Sequence, residues 1–423
     1  MNAAERRLPD RFWIGLILLA VGGVALRLLY VYVIAPDVRG FGDWQYFHQQ
    51  ANLIADGRGF IDPVDFSLFG RETATAGHPP LWPLLLSGVS ELGFTGAHAH
   101  RATGAILGGG TVVLMGLLGR RLSGPATGLI AAGLYAVDPL MVGADGSLMS
   151  ECLYGLLVAL VLLTAYRMYD APSQGAAAAL GVAIGFAALV RAEALLYVPL
   201  LALPLTLRWT SGRVRGLAVA LAAFAVVVGP WTIRNAIVFD RPVAISNNGS
   251  QAMSGANCPQ TYHGKDTGLW RVDCISPQRP GENQAQAANR WTREGLGYMR
   301  DHAGSLPRVM IIRLLRTWDA YQPWRMVAFA EGRDPDVERA GIVVYWLLFP
   351  LAVAGLLVLR RRGREFLIMI APAAVVVLVS LFFYGTPRFR HAADISIIAL
   401  AAVTVDAALR RWRPPRAPER PAG

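Results

Sequence analysis

Long apolar runs bordered by arginine recur along this chain, and they constrain its fold more than any other feature. Phe12 to Ile34 and Gly341 to Leu359 are each long enough to cross a hydrocarbon core of about 30 Å as a helix rising about 1.5 Å per residue. A soluble enzyme is excluded, because 54% of the residues are hydrophobic and only 16% charged, against roughly 45–50% and 25% in soluble domains. Such runs fall near 13–34, 102–119, 125–142, 150–168, 175–190, 192–208, 214–234, 341–359, 366–384 and 392–409. The expected fold is an all-α polytopic membrane protein of about ten transmembrane helices. Pro79 to Phe94 is shorter and opens on His78-Pro79-Pro80, which reads as interfacial or re-entrant.

The formal charge of +11 could suggest a nucleic-acid partner, but the basic residues flank apolar runs, and Lys265 is the single lysine among them. Arg11, Arg120, Arg121, Arg167, Arg208, Arg213, Arg215 and Arg360 to Arg364 fall on one side of the spans, together with the Arg410–Arg420 tail. The positive-inside rule then predicts a multi-pass plasma-membrane protein with both termini cytoplasmic and membrane lipids as partners. The first run has the length of a retained signal-anchor. The organisation expected is an N-terminal transmembrane catalytic module, 1–234, containing an external loop at 35–101. A small extracytoplasmic domain of α/β or irregular structure follows at 235–340, then C-terminal helices at 341–412 and a cytoplasmic tail at 413–423.

Ionisable groups at a membrane face are expensive and need a reason. Asp43 lies just beyond the first span in Gly42-Asp43-Trp44-Gln45-Tyr46-Phe47; beside aromatics it can serve as a general base with a somewhat raised pKa, or simply cap a helix. Glu151 opens a later span after Ser147, with Asp145 as a competitor, and capping is again an alternative. His78, Arg191, Arg234, Arg388 and Arg390 share the outer face. Arginines there run against the orientation rule and point to an anionic ligand, although Arg191 and Glu193 can also just pair with each other. Trp318, Tyr321 and Trp324 read as an interfacial belt near Arg313 and Arg316. Cys258 and Cys274 lie on the oxidising side and are expected to form a disulfide; a zinc site including His263 is the alternative.

In this order the motifs resemble the polyprenyl-phosphate-sugar-dependent glycosyltransferases of the GT-C superfamily, the group that holds protein O-mannosyltransferases and the lipid A aminoarabinose transferase. The resemblance rests on Asp43 with Tyr46 and the helix from Ala51, His78-Pro79, Arg101 and Asp138-Pro139 leading to Glu151. It continues through Leu189-Val190-Arg191-Ala192-Glu193, Pro230-Trp231-Thr232-Ile233-Arg234-Asn235 and Arg388-Phe389-Arg390. It implies an enzyme that transfers a sugar from a polyprenyl-phosphate donor to an extracytoplasmic glycan, lipid or protein acceptor, with inversion. Asp43 would deprotonate the acceptor hydroxyl and Glu151 would orient acceptor or sugar. His78, which stands where some relatives carry lysine, would join Arg388 and Arg390 at the donor phosphate. No metal-ligand cluster is evident, so no cofactor is expected and a divalent metal is left open. The competing class is a transporter or lipid flippase, which should place its acids near the bilayer midplane.

Overall fold

The computed structural model describes residues 3–38, 42–239, 241–329 and 331–412, so the expected tail at 413–423 lies outside the described residues. Among these residues no strand forms, only an isolated antiparallel bridge between Ile61 and Ala74. Six helices are long and apolar enough to cross a membrane: Arg11–Ile34, Ala97–Ser123, Glu151–Asp170, Arg213–Phe239, Pro335–Arg361 and Pro387–Arg411. A seventh span is a pair, Pro125–Val137 and Pro139–Asp145, bent by 62°. The other three expected spans fold as the shorter helices Gln174–Ala188, Ala192–Leu207 and Leu367–Phe382. The count of ten is therefore not met by full-length helices. Proline accounts for one shortfall: Pro199 and Pro204 donate no backbone hydrogen bond, and the chain around them passes from 3₁₀ through π to α geometry.

The bend at Asp138 shows how the sequence breaks a span and then repairs it. Pro139 cannot donate to the Tyr135 carbonyl, and the amides of Leu140 and Met141 donate to the Asp138 side chain instead, at 2.9 and 3.2 Å. The orphaned carbonyls of Tyr135 and Ala136 accept from Arg27 at 3.3 and 3.0 Å. Arg27 Nε also meets Asp145 Oδ2 at 2.6 Å, both side chains being fully buried. This internal ion pair ties the two arms of the bend to the first span, a structural use of intramembrane charge. Gly108 makes room for it, since a Cβ there would sit 2.3 Å from Asp145 Oδ2.

The elements between the spans are helical as well. Asp43–Ala55 packs on Leu81–Glu91, whose 11 residues rise only about 16 Å and cannot span a bilayer. Trp82 Nε1 donates to the Leu148 carbonyl at 3.2 Å, joining this hairpin to the loop before Glu151. Within 235–340 the helices Asn248–Gly255, Gln284–Asp301 and Leu306–Thr317 form without a sheet, which corrects the α/β alternative; irregular segments between them are held by short-range hydrogen bonds and by the Cys258–Cys274 disulfide, Cα atoms 6.0 Å apart. The Ala76 amide donates to Gln284 Oε1 at 2.7 Å and so clips the segment 235–340 to the segment 35–101.

Candidate active site

The starts of several helices converge on one cluster. Asp43 opens Asp43–Ala55, His78 precedes Leu81–Glu91, Glu151 opens Glu151–Asp170 and Arg191 caps the turn Ala192–Leu196. Glu331 precedes Pro335–Arg361, and Arg388 is the second residue of Pro387–Trp412. Each helix N-terminus carries about half a positive charge, which favours carboxylates there and gives the whole locus an affinity for anions.

Arg388 is the hub. Its Nη2 reaches Asp43 Oδ2 at 3.1 Å, Nε reaches Glu151 Oε1 at 2.9 Å and Nη1 reaches Glu331 Oε1 at 3.0 Å. Arg191 takes the same Glu151 oxygen at 3.2 Å and Glu193 at 2.5 Å, so the simple Arg191–Glu193 pair exists but is part of a larger network. The side chains of Asp43 and Glu331 are 34% and 30% exposed, whereas Glu151 is 5% exposed. The open face of the cluster therefore belongs to Asp43 and Glu331, and Glu151 lies behind, bracing two arginines.

Glu331 was not singled out by the sequence. Its Oε2 accepts the Asp43 amide at 3.2 Å, supplying the cap that Gly42 cannot, and a Cβ on Gly42 would fall 2.5 Å from that oxygen. Asp43 itself does not cap its helix: it is the first helical residue and its carboxylate points to Arg388. The signal that could have revealed Glu331 is positional, an outer acid just before an apolar run, as at Asp43 and Glu151.

Electrostatics separates the two exposed carboxyls. Burial alone would raise Asp43, but His78 and Arg388 outweigh it and hold its pKa below the usual range. Burial, with Arg388 and Arg191 nearby, lowers His78 despite Asp43 at 3.7 Å. Arg388, charged at any working pH, is the lasting charge that keeps Asp43 ionised. Glu331 is raised by burial and by the neighbouring Asp43 and Glu151 charges, against the pull of Arg388.

The remaining expected residues divide. The His78 ring lies 4.6 Å from Tyr46 and 4.9 Å from Phe47, and Tyr46 hydroxyl meets Thr75 Oγ1 at 3.1 Å, so both belong to the wall of the site. Arg234 donates to the carbonyls of Thr75 and Phe60 at 2.9 and 3.1 Å and packs on Trp231; it supports the segment carrying His78 rather than facing the cluster. Arg390 corrects an expectation. It is 1% exposed and its charge is engaged by Asp319 at 2.5 Å and Asp394 at 3.1 Å, away from the Arg388 cluster. Two residues apart on a helix means about 200° of rotation, which sends Arg388 and Arg390 to different sides. Arg313 and Arg316 are likewise buried and bind backbone carbonyls, while Trp324, 53% exposed, packs on Trp346.

Residues 77–233 match the profile of the dolichyl-phosphate-mannose-protein mannosyltransferase family, a stretch containing His78, Glu151 and Arg191. Among solved structures, the archaeal oligosaccharyltransferase AglB from Archaeoglobus fulgidus, in complex with an inhibitory peptide and a dolichol-phosphate, aligns over 95% of this chain with a TM-score of 0.58 at 15% identity. The chain shares the fold of this oligosaccharyltransferase. The apo Archaeoglobus fulgidus oligosaccharyltransferase gives 0.56 at 16% identity over 95% of this chain. ArnT from Cupriavidus metallidurans bound to undecaprenyl phosphate aligns over 96% of this chain and 82% of its own, at 15% identity and a TM-score of 0.44. The chain spans about half the length of the archaeal structures, 50% and 51%. No curated protein sequence matches it. Asp43, Glu331 and Arg388 lie outside the matched stretch and complete the cluster around Glu151 and Arg191.

Proposed function

We propose that this protein is an integral membrane glycosyltransferase that moves a sugar from a polyprenyl-phosphate donor to an acceptor hydroxyl on the extracytoplasmic face, with inversion. The observation that carries this reading is the three-carboxylate grip on Arg388, open to solvent only through Asp43 and Glu331 and fed by converging helix N-termini. Asp43 accepts the proton of the acceptor hydroxyl. The freed oxygen attacks the anomeric carbon, the bond from that carbon to the phosphate oxygen breaks, and polyprenyl phosphate leaves with the electron pair. Arg388, the cation that the three carboxylates surround, and His78 steady the developing phosphate charge, while Glu151 holds Arg388 and Arg191 in place rather than touching the acceptor.

Sidedness follows the arginine bias, which puts the Arg388 cluster, the loop 35–101 and the segment 235–340 outside and both termini in the cytoplasm. The transporter or flippase reading is not favoured, because the exposed acids gather at helix starts and the buried Arg27–Asp145 pair is consumed in bracing a bend. Purified protein incubated with a panel of radiolabelled polyprenyl-phosphate sugars and an envelope extract should move label from the lipid to an acceptor. Donor binding without any transfer, across the panel, contradicts the reading.

A further inference from the structure

A second polar site lies at the other end of the molecule. The Glu151–Asp170 helix has 20 residues and runs about 30 Å from the Arg388 cluster to Asp170; the segment from Arg191 to Arg208 runs the same way. Between their far ends is a cavity of about 380 Å³ lined by Met168, Tyr169, Asp170, Leu205, Arg208 and Trp209.

Its lining sets one arginine and one acid among two aromatic rings. The Arg208 side chain is 58% exposed, stacks 4.7 Å over the Tyr169 ring and has its carboxylate partner, Glu365, only at 3.8 Å. Asp170, the one acid on the wall, is already engaged by Arg121. Arg213 donates its Nε to the Trp209 carbonyl at 2.6 Å and has no carboxylate partner among the described residues. The Trp209 Nε1 is buried without a hydrogen-bond partner, although its ring is packed so closely on Gly216 that a Cβ there would fall 2.6 Å away. A donor left unpaired at such a place is costly. Below the cavity the wall turns apolar through Met168 and Leu205, and the neighbouring Leu203 and Leu207 are 37% and 54% exposed. Charge and indole at the rim with an apolar flank beneath is the profile of a lipid with an anionic head.

We propose that this cavity binds the phosphate of an anionic phospholipid, with Arg208 as its charged donor and the Tyr169 and Trp209 rings as its walls, on the face opposite the Arg388 cluster. The assignment is independent of the sugar-transfer reading. It is tested on the full-length protein in neutral detergent by equilibrium binding of phosphatidylglycerol, phosphatidylcholine with the same chains, and inorganic phosphate. Phosphatidylglycerol should bind about tenfold or more tighter than phosphatidylcholine. Arg208→Ala should lose about tenfold of that affinity, the worth of one charge-assisted hydrogen bond. Trp209→Phe, which trims the indole wall to a smaller ring, should lose severalfold. Equal binding of the two lipids, or wild-type affinity in both variants, overturns the site. Inorganic phosphate binding as tightly as phosphatidylglycerol overturns the lipid assignment and leaves a free-anion site.

Discussion

Asp43 and Glu331 share one guanidinium yet are driven in opposite directions, Asp43 down and Glu331 up. For a base, ionisation is needed and Arg388 secures it. Removing that cation in Arg388→Gln disfavours the ionised carboxylate, so the Asp43 pKa rises. The acid limb of log(kcat/KM) should then move to higher pH by about 1–3 units, the usual effect of one close opposite charge, and His78→Gln, which removes the other group that lowers Asp43, should move it the same way. A pH–rate profile of the residual activity checks both signs. The sequence made Asp43, His78, Glu151, Arg191 and Arg388 legible because each sits where an apolar run begins or ends. It concealed Glu331 among the many polar residues of 235–340. Arg390 misled because proximity in sequence is not a shared face on a helix.

On the scale of elements, the apolar runs marked where helices form, but not that proline would bend one at Asp138 and shorten another around Pro199. Those breaks are repaired by contacts far apart in sequence, such as Arg27 with Asp145, which no local pattern encodes. Gly108→Ala would drive a methyl to 2.3 Å from Asp145 Oδ2 and 2.4 Å from Arg27 Nε. Separating a buried pair costs about 3–5 kcal/mol, so thermal unfolding in detergent should show a large drop in Tm. Gly88→Ala, with nothing within 4 Å of the new Cβ, should instead be neutral or gain up to about 1 kcal/mol from helix propensity. Reducing Cys258–Cys274, separated by 16 in sequence, should cost the external segment about 3 kcal/mol and open 258–274 to proteolysis. Equal protease resistance with and without reductant counts against that role.

Taken whole, the molecule puts the Asp43–Glu331–Arg388 cluster and its converging helix starts at one end and the Arg208 cavity at the other. The charge bias predicts an impermeant thiol reagent reaching a cysteine placed at Gly268 in intact cells and failing to reach one at Ser123; the reverse pattern inverts the topology. Because a guanidinium stands at the centre that the three carboxylates face, transfer should proceed without a resident metal, and chelation with EDTA should leave turnover within about twofold. A loss restored by Mn²⁺ or Mg²⁺ would place a metal in the reaction. Proton removal by Asp43 is tested most directly in liposomes by comparing Asp43→Asn with wild type in single-turnover transfer and donor binding. Asparagine has the same size but accepts no proton, so turnover should fall by about 10²- to 10⁴-fold while donor affinity persists and the protein remains folded. Near-normal turnover by well-folded Asp43→Asn protein contradicts the assignment and moves the search for the base to Glu331.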